Sequence, residues 1–338
     1  MTDLSPVSDY LGEIDTLTHE AQGAKKSYVI PALKNLGSIT IPLVREIISP
    51  ASFRNEQTEI TDIDAAGYRR VRAVANKFKY GERARGLQIL RYFEAGGAFP
   101  QNRTELPSGK GAGAAFDMNT LVFGDSTDAA GKVLPVKAAA LYSDAISLAP
   151  YADCVDHTFH NRASEDGSLF DAEKGKNSDN LFERHFVKPG TLLVQTITIN
   201  GRTAPAEAIE HLLLCIGLAG AYGGQTSIHG VNVRTHLAGI FGAPLERDIA
   251  SPYALVQALQ HGDSAFGGAE EARREIEAMF AARYPKAIGA DAADALRDGL
   301  IEKLEADDPE MRARYVANQQ KVAGFFDAWF AGITGAKS

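Results

Sequence analysis

The chain has 338 residues, enough for two domains or for one core with large insertions, and its 45% apolar and 23% charged residues exclude a disordered chain. A formal net charge of -8 excludes a protein that is basic throughout, and no uncharged apolar run of about eighteen residues marks a membrane span. Cys154 and Cys215 are too few for a disulfide framework or a cysteine-only zinc site. With acids in MTDLSPVSDYLGE where a leader would carry bases and an apolar core, the expectation is a cytoplasmic chain with reduced thiols and no membrane partner.

In chain order, SITIPLVREII at 38–48 follows Gly37 and is rich in β-branched residues, which predicts a strand; Pro42 within it predicts an edge position or a bulge. From Asp64 the pattern turns helical, with Val71, Val74 and Phe78 as the buried stripe. Between Arg69 and Arg91 lie eight bases, Arg69, Arg70, Arg72, Lys77, Lys79, Arg83, Arg85 and Arg91, against one acid, Glu82. That is a local net charge of +7 on a chain of -8, and such asymmetry implies a polyanionic partner.

Residues 96–135 are dense in Gly, Ser, Asn, Asp and Pro and read as an insertion in which only TLVFG predicts a strand. SGKGAGA at 108–114 lacks the spacing and the following Ser or Thr of a phosphate cradle and reads as a flexible loop. In CVDHTFHNRA the alternation predicts a strand, which places His157 on the face opposite Cys154 and His160, so this trio predicts no metal site. Residues 165–185 are a second polar insertion.

KPGTLLVQTITING predicts a turn and a strand over 192–200. In TAPAEAIEHLLLCIGLAGAYGG a helix is capped by Thr203 with Pro205 in its first turn, buries Ile209, Leu212, Leu213 and Ile216, and stops at Gly223 and Gly224. VNVRTHLAGIFG is extended, and from Pro252 onward the chain reads as helices with an acidic surface.

No Walker A, dinucleotide, HExxH or nucleophile-elbow motif appears, and no catalytic residues are expected. His211 reads as a satisfied core residue, while His229 and His236 leave open a metal-independent ribonuclease that deprotonates a 2'-hydroxyl. The segment AYGGQTSIHGVNVRTHLAGIFG at 221–242 fits a binding loop better than a helix stop. Gly223 and Gly224 let backbone amides approach phosphate, and Gln225, Thr226, Ser227, Asn232 and Arg234 supply donors and charge.

Taken in order, IPLVREII, KYGERARG, TLVFGD, FVKPGTLLVQTITING and AYGGQTSIHGVNVRTHLAGIFG resemble the crRNA-binding backbone subunits of CRISPR effector complexes, of the RAMP superfamily, and most of all the type I-D backbone subunit. The resemblance runs from about residue 35 to about residue 245. It implies an α+β fold: a ferredoxin-like, RRM-type palm over 35–250, with thumb-type insertions at about 85–150 and 163–188, followed by a helical region over 251–338. It implies that the chain stacks in copies along a crRNA beside other effector subunits, holds it by its backbone, and presents it to target DNA in antiviral defence, without a cofactor. The implied RNA contacts are Arg45, the basic residues Arg69, Arg70, Arg72, Lys77, Lys79, Arg83 and Arg85, and the segment from Tyr222 to Arg234. Type I-D relatives often place a cysteine cluster before the middle strand. This chain has TELPSGKGAGAAFDMNTLVFGD there, so no zinc-stabilised insertion is expected.

Overall fold

Ten residues from Ser38 to Ile47 form the strand on which the sheet is built (β1), and nearly all of them are buried, with Ile39, Ile41 and Leu43 on one face and Thr40 and Val44 on the other. A strand buried on both faces reads as a near-continuous apolar run, which is why its sequence was legible. The computed structural model describes residues 3–22, 27–31, 36–54, 60–97, 105–106, 109–129, 131–161, 170–171, 175–177, 181–201, 203–224, 226–259 and 266–334.

After β1 the first departure from the sequence pattern appears. The helix expected from Asp64 is instead a hairpin of β2 (Asp62–Ala65) and β3 (Tyr68–Ala73), and the helix α1 occupies Asn76–Tyr92. The hairpin turns on Ala66 and Gly67, both at positive φ (52° and 78°), a backbone shape that glycine favours and that twists with the strands. The strand expected at TLVFG is also absent: Met118–Phe123 is a helix, α2. Asp117 caps it by accepting from Thr120 N at 3.0 Å, while Thr120 Oγ1 accepts from Asp117 N at 3.3 Å, and this reciprocal box outweighs the β-propensity of Thr-Leu-Val-Phe.

The next elements are β4 (Ala140–Tyr142), β5 (Ala145–Ser147), an antiparallel hairpin of β6 (Val155–Asn161) and β7 (Leu181–Val187), and β8 (Leu192–Asn200). Helix α3 spans Ala206–Leu218 and is capped at Pro205 without a side-chain bond; Thr203 donates to Asn200 O instead. It ends five residues before Gly223, so the two glycines do not stop it. A short helical turn, α4 (Thr226–His229), precedes β9 (Val233–Leu237) and β10 (Ile240–Ala243). The remainder is α5 (Pro252–Ala258), α6 (Ala269–Ala281), β11 (Lys286–Ile288), α7 (Ala290–Glu305) and α8 (Pro309–Thr334).

The result is an α+β fold around one antiparallel sheet, in the order β11-β10-β1-β8-β5-β3-β2, with β9 also on β1 and β4 also on β8. Pro42 therefore sits in a strand paired on both sides, contrary to an edge position. The bulge is real, however: Leu237 faces Leu43 and Phe241 faces Thr40, so the partner carries one extra residue where Pro42 has no N–H to give. Gly239, at φ 121°, makes the bend.

Two layers of helix cover the sheet. Leu43, Ile197 and Ile199 pack with Ile209, Leu212 and Ile216 of α3, each buried side chain contributing roughly 1.5–3 kcal/mol. On the other face Val44, Ile146 and Val194 pack with Leu255, Ile276 and Phe280 of α5 and α6. Among the described residues no helix is long and apolar enough to cross a membrane.

Candidate nucleic-acid interface

Helix α1 carries two kinds of surface. Its inner face buries Phe78, Glu82, Gly86, Ile89 and Leu90 at helical spacing, while Tyr80 stands 78% exposed on the outside. Glu82, the one acid of the basic stretch, is fully buried because Arg45 of β1 comes up beneath it, with Nη1 2.8 Å from Glu82 Oε1. Arg45 also donates to Gln195 Oε1 at 3.0 Å and Thr235 Oγ1 at 2.7 Å, and lies 4.7 Å from the Phe78 ring centre. Tyr222 donates to Glu82 Oε1 at 3.0 Å, and Tyr142 donates to Oε2. Burial acts most strongly and against the charge of Arg45, but Glu82, Tyr222 and Tyr142 together outweigh it and raise its pKa, while burial and then Glu82 push the Tyr222 hydroxyl well above its ordinary value. The Arg45 side chain, expected as an RNA contact, is thus enclosed in the protein as a buried strut between α1 and the sheet.

The same tyrosine ties α1 to the glycine segment. A Cβ on Gly81 would lie 3.3 Å from the Tyr222 ring, so the helix and residues 219–223 run in close contact. Asn232 closes the base of the loop, accepting from Tyr222 N and donating to Tyr222 O, both at 2.9 Å. It is fully buried, so its side chain, like that of Arg45, is turned into the protein. Gly223 has φ 79°, and a Cβ there would lie 2.4 Å from Ser52 O. Gly224 N donates to that same oxygen at 2.7 Å, so its amide is not offered to phosphate, while nothing among the described residues accepts from Gly223 N.

Between α1 and this segment lies an open cavity of about 650 Å³, lined among others by Lys77, Tyr80, Arg85, Gly220, Gly223 and Thr226. The basic helix and the glycine segment, far apart in sequence, therefore share one groove. Among the described residues no acid pairs with Lys77, Lys79 or Arg85; Arg85 donates only to Gln88 Oε1, at 2.7 Å. Burial, then Arg83, lowers the pKa of Lys79. An uncompensated ammonium, a guanidinium, an exposed ring and a free amide together suit a sugar-phosphate chain with an unstacked base.

The other expected contacts divide. Arg70 is buried, with its pKa lowered by burial, and donates to the carbonyls of Ala65, Ser147 and Leu148. Arg72 is held by Asp144 at 2.6 Å, Arg83 by Asp125 at 3.0 Å, and Arg69 by Asp62. Arg234 pairs across the sheet with Glu46, which alternation places on the face opposite Arg45 and α1, so it stands outside the groove. Thr226 lines the groove and Ser227 is exposed beside it; Gln225 lies outside the described residues.

Of the histidines, His211 is buried, meets Tyr315 and Asn119 at 3.2 Å each, and is lowered by burial to about 3, so it is a core residue. His236 lies 2.9 Å from Glu46 on the same far face as Arg234, and His229 is in the turn α4. Gly111 and Gly113 of SGKGAGA serve packing: a Cβ on Gly113 would lie 2.4 Å from Ala323 O of α8, one on Gly111 would run into Asp327, and Gly113 N donates to Asp327 at 2.8 Å. Residues 111–114 are therefore docked on α8 rather than loose, while Gly109 and Lys110 are exposed. Cys154 and Cys215 are both free and buried, and burial raises both thiols.

Sequence reasoning missed Tyr80, and it missed the buried roles of Glu82 and Tyr222. The signal for Glu82 was present, since a lone acid among eight bases needs a partner; nothing local marks Tyr80 as exposed.

A family model described as Csc2 Crispr matches residues 31–274. No curated protein matches the chain. The crystal structure of Csc2 from Thermofilum pendens is similar over 89% of this chain and 91% of that one, with a TM-score of 0.54 and 12% identity, which is a likeness of fold. Two chains of CRISPR RNA-guided surveillance complexes, one of them pre-nicking, are similar over 74% and 73% of this chain and 90% and 86% of theirs, with TM-scores of 0.48 and 0.44 and identities of 10% and 12%.

Proposed function

The chain belongs to the Csc2 CRISPR family, and from that premise we propose that it is the crRNA-binding backbone subunit of a type I surveillance complex, nearest to type I-D. Copies of it polymerise along one guide in the cytoplasm, beside other effector subunits, and present the guide for pairing with target DNA. The observation that carries this reading is the groove between α1 and the glycine segment, where Lys77 and Arg85 meet no acid among the described residues and stand with Tyr80 beside a backbone amide. Contacts of that kind hold phosphate and sugar and leave base edges free, which a guide of any sequence requires.

We read the palm as ferredoxin-like, of the RRM type. The succession β1, α1, β4 with β5, β8, α3, β9 with β10, the sheet order β10-β1-β8-β5, and the packing of α1 against α3 support it. An ordinary RRM stacks bases on its open sheet face, but here α5 and α6 cover that face, which leaves the α1 groove as the surface for RNA.

The reading is non-catalytic. Its rival, a ribonuclease using His229 or His236, is disfavoured for His236 by its place with Glu46 on the far side of the sheet. RNA of one defined length, carrying several protein copies per strand and co-purifying with the chain, is the expected result. Protein that neither co-purifies with RNA nor binds single strands at low salt would overturn the proposal. So would site-specific cutting of a repeat-containing transcript that His229→Ala abolishes.

A further inference from the structure

The hairpin of β6 and β7 carries a cluster that RNA binding in the groove does not use. His157 and His185 are direct cross-strand partners, and Glu183, two residues before His185, projects to the same face. Both imidazoles turn Nε2 towards one carboxylate oxygen: Glu183 Oε1 is 4.0 Å from His157 Nε2 and 3.5 Å from His185 Nε2. The ring centres are 5.8 Å apart, and one donor atom from each of the three residues lies within 4.8 Å of the others. Asp156 Oδ1, which accepts from His157 N at 2.8 Å, lies 3.9 Å from His157 Nδ1 and adds negative charge beside the cluster.

Two imidazole nitrogens and one carboxylate oxygen suit a borderline divalent ion, whereas calcium and magnesium favour all-oxygen shells. Tetrahedral bonds of about 2.0–2.1 Å place ligand atoms roughly 3.4 Å apart, and these side chains, each nearly half exposed, can close that gap by rotation without moving the strands. The geometry points to a zinc site formed by His157, Glu183 and His185, with its fourth position open to solvent. The ion joins two strands that belong to distant parts of the sequence. The partners of His157 in this cluster lie across the hairpin, not along the strand with Cys154. Cys154 is buried and its thiol donates to Ala149 O.

The test uses the full chain, freed of nucleic acid and chelator-treated, and titrated calorimetrically with zinc chloride alone. One equivalent binds, and His157→Ala, His185→Ala and the shape-conserving Glu183→Gln each weaken binding by about tenfold or more while leaving the metal-free melting temperature unchanged. Cobalt titration of the unmodified chain is a reading that needs no variant: visible bands of a histidine-ligated ion rise to one equivalent and zinc bleaches them. No uptake of zinc, a silent cobalt titration, or an affinity that survives the loss of both histidines would each overturn the site.

Discussion

Arg69, Arg70 and Arg72 of β3 and Lys77, Lys79 and Arg85 of α1 are near neighbours in sequence with the same charge, and the fold disposes of them in opposite ways. The hairpin arginines are spent on Asp62, on backbone carbonyls and on Asp144. The helix cations meet no acid among the described residues, and two of them line the groove. Charge density locates a region, but the placement of counter-charges decides which cations are left to neutralise phosphate. Within α1 the contrast repeats across the helix, with Glu82 and Arg45 neutralising each other on the inner side and Lys77 and Arg85 unopposed on the outer.

The largest effect belongs to the inner side. Glu82→Ala leaves Arg45 buried and unpaired, and urea unfolding should show a loss of about 3–5 kcal/mol. A loss near zero would mean that the pair does not clamp α1 to the sheet. Gly223→Ala adds a Cβ against Ser52 O at a positive φ, and the same measurement should show about 1–3 kcal/mol.

His211, under the inner side of α1, predicts a pH dependence. Its folded pKa of about 3 lies below the unfolded value of about 6.5, so its contribution is complete above about pH 6.5 and is lost as pH falls. Stability should drop by about 1 kcal/mol between pH 6.5 and 5.5, and His211→Gln should flatten that slope. Equal slopes would show that His211 gains a proton without unfolding. The smallest effect is that of Arg69→Ala, expected to change neither melting temperature nor RNA affinity, since its exposed partner Asp62 already holds it. A fall in affinity to match Lys77→Ala would erase the distinction between hairpin and helix.

Strands 38–47 and 192–200 and the four C-terminal helices were legible because apolar period and turn residues agreed with the tertiary setting. The hairpin of β2 and β3 was not, because its turn places Ala66 at positive φ, where sequence gives no warning. Helix α2 was hidden by β-prone residues behind a capping box. For the site, the basic stretch and the glycine segment stood out in sequence, but only packing through Tyr222 and Gly81 joins them. Arg45, Arg70 and Asn232 looked like contacts because exposure is a property of the fold.

The central claim is that the unopposed cations of α1 hold phosphate. The direct measurement is single-stranded RNA affinity across a salt series, for the unmodified chain and for Lys77→Ala/Arg85→Ala. The slope of log affinity against log salt should fall by about 0.7 for each lost contact, about 1.4 for the pair, with weaker binding throughout. An unchanged slope and affinity would contradict the account and move the RNA to another face.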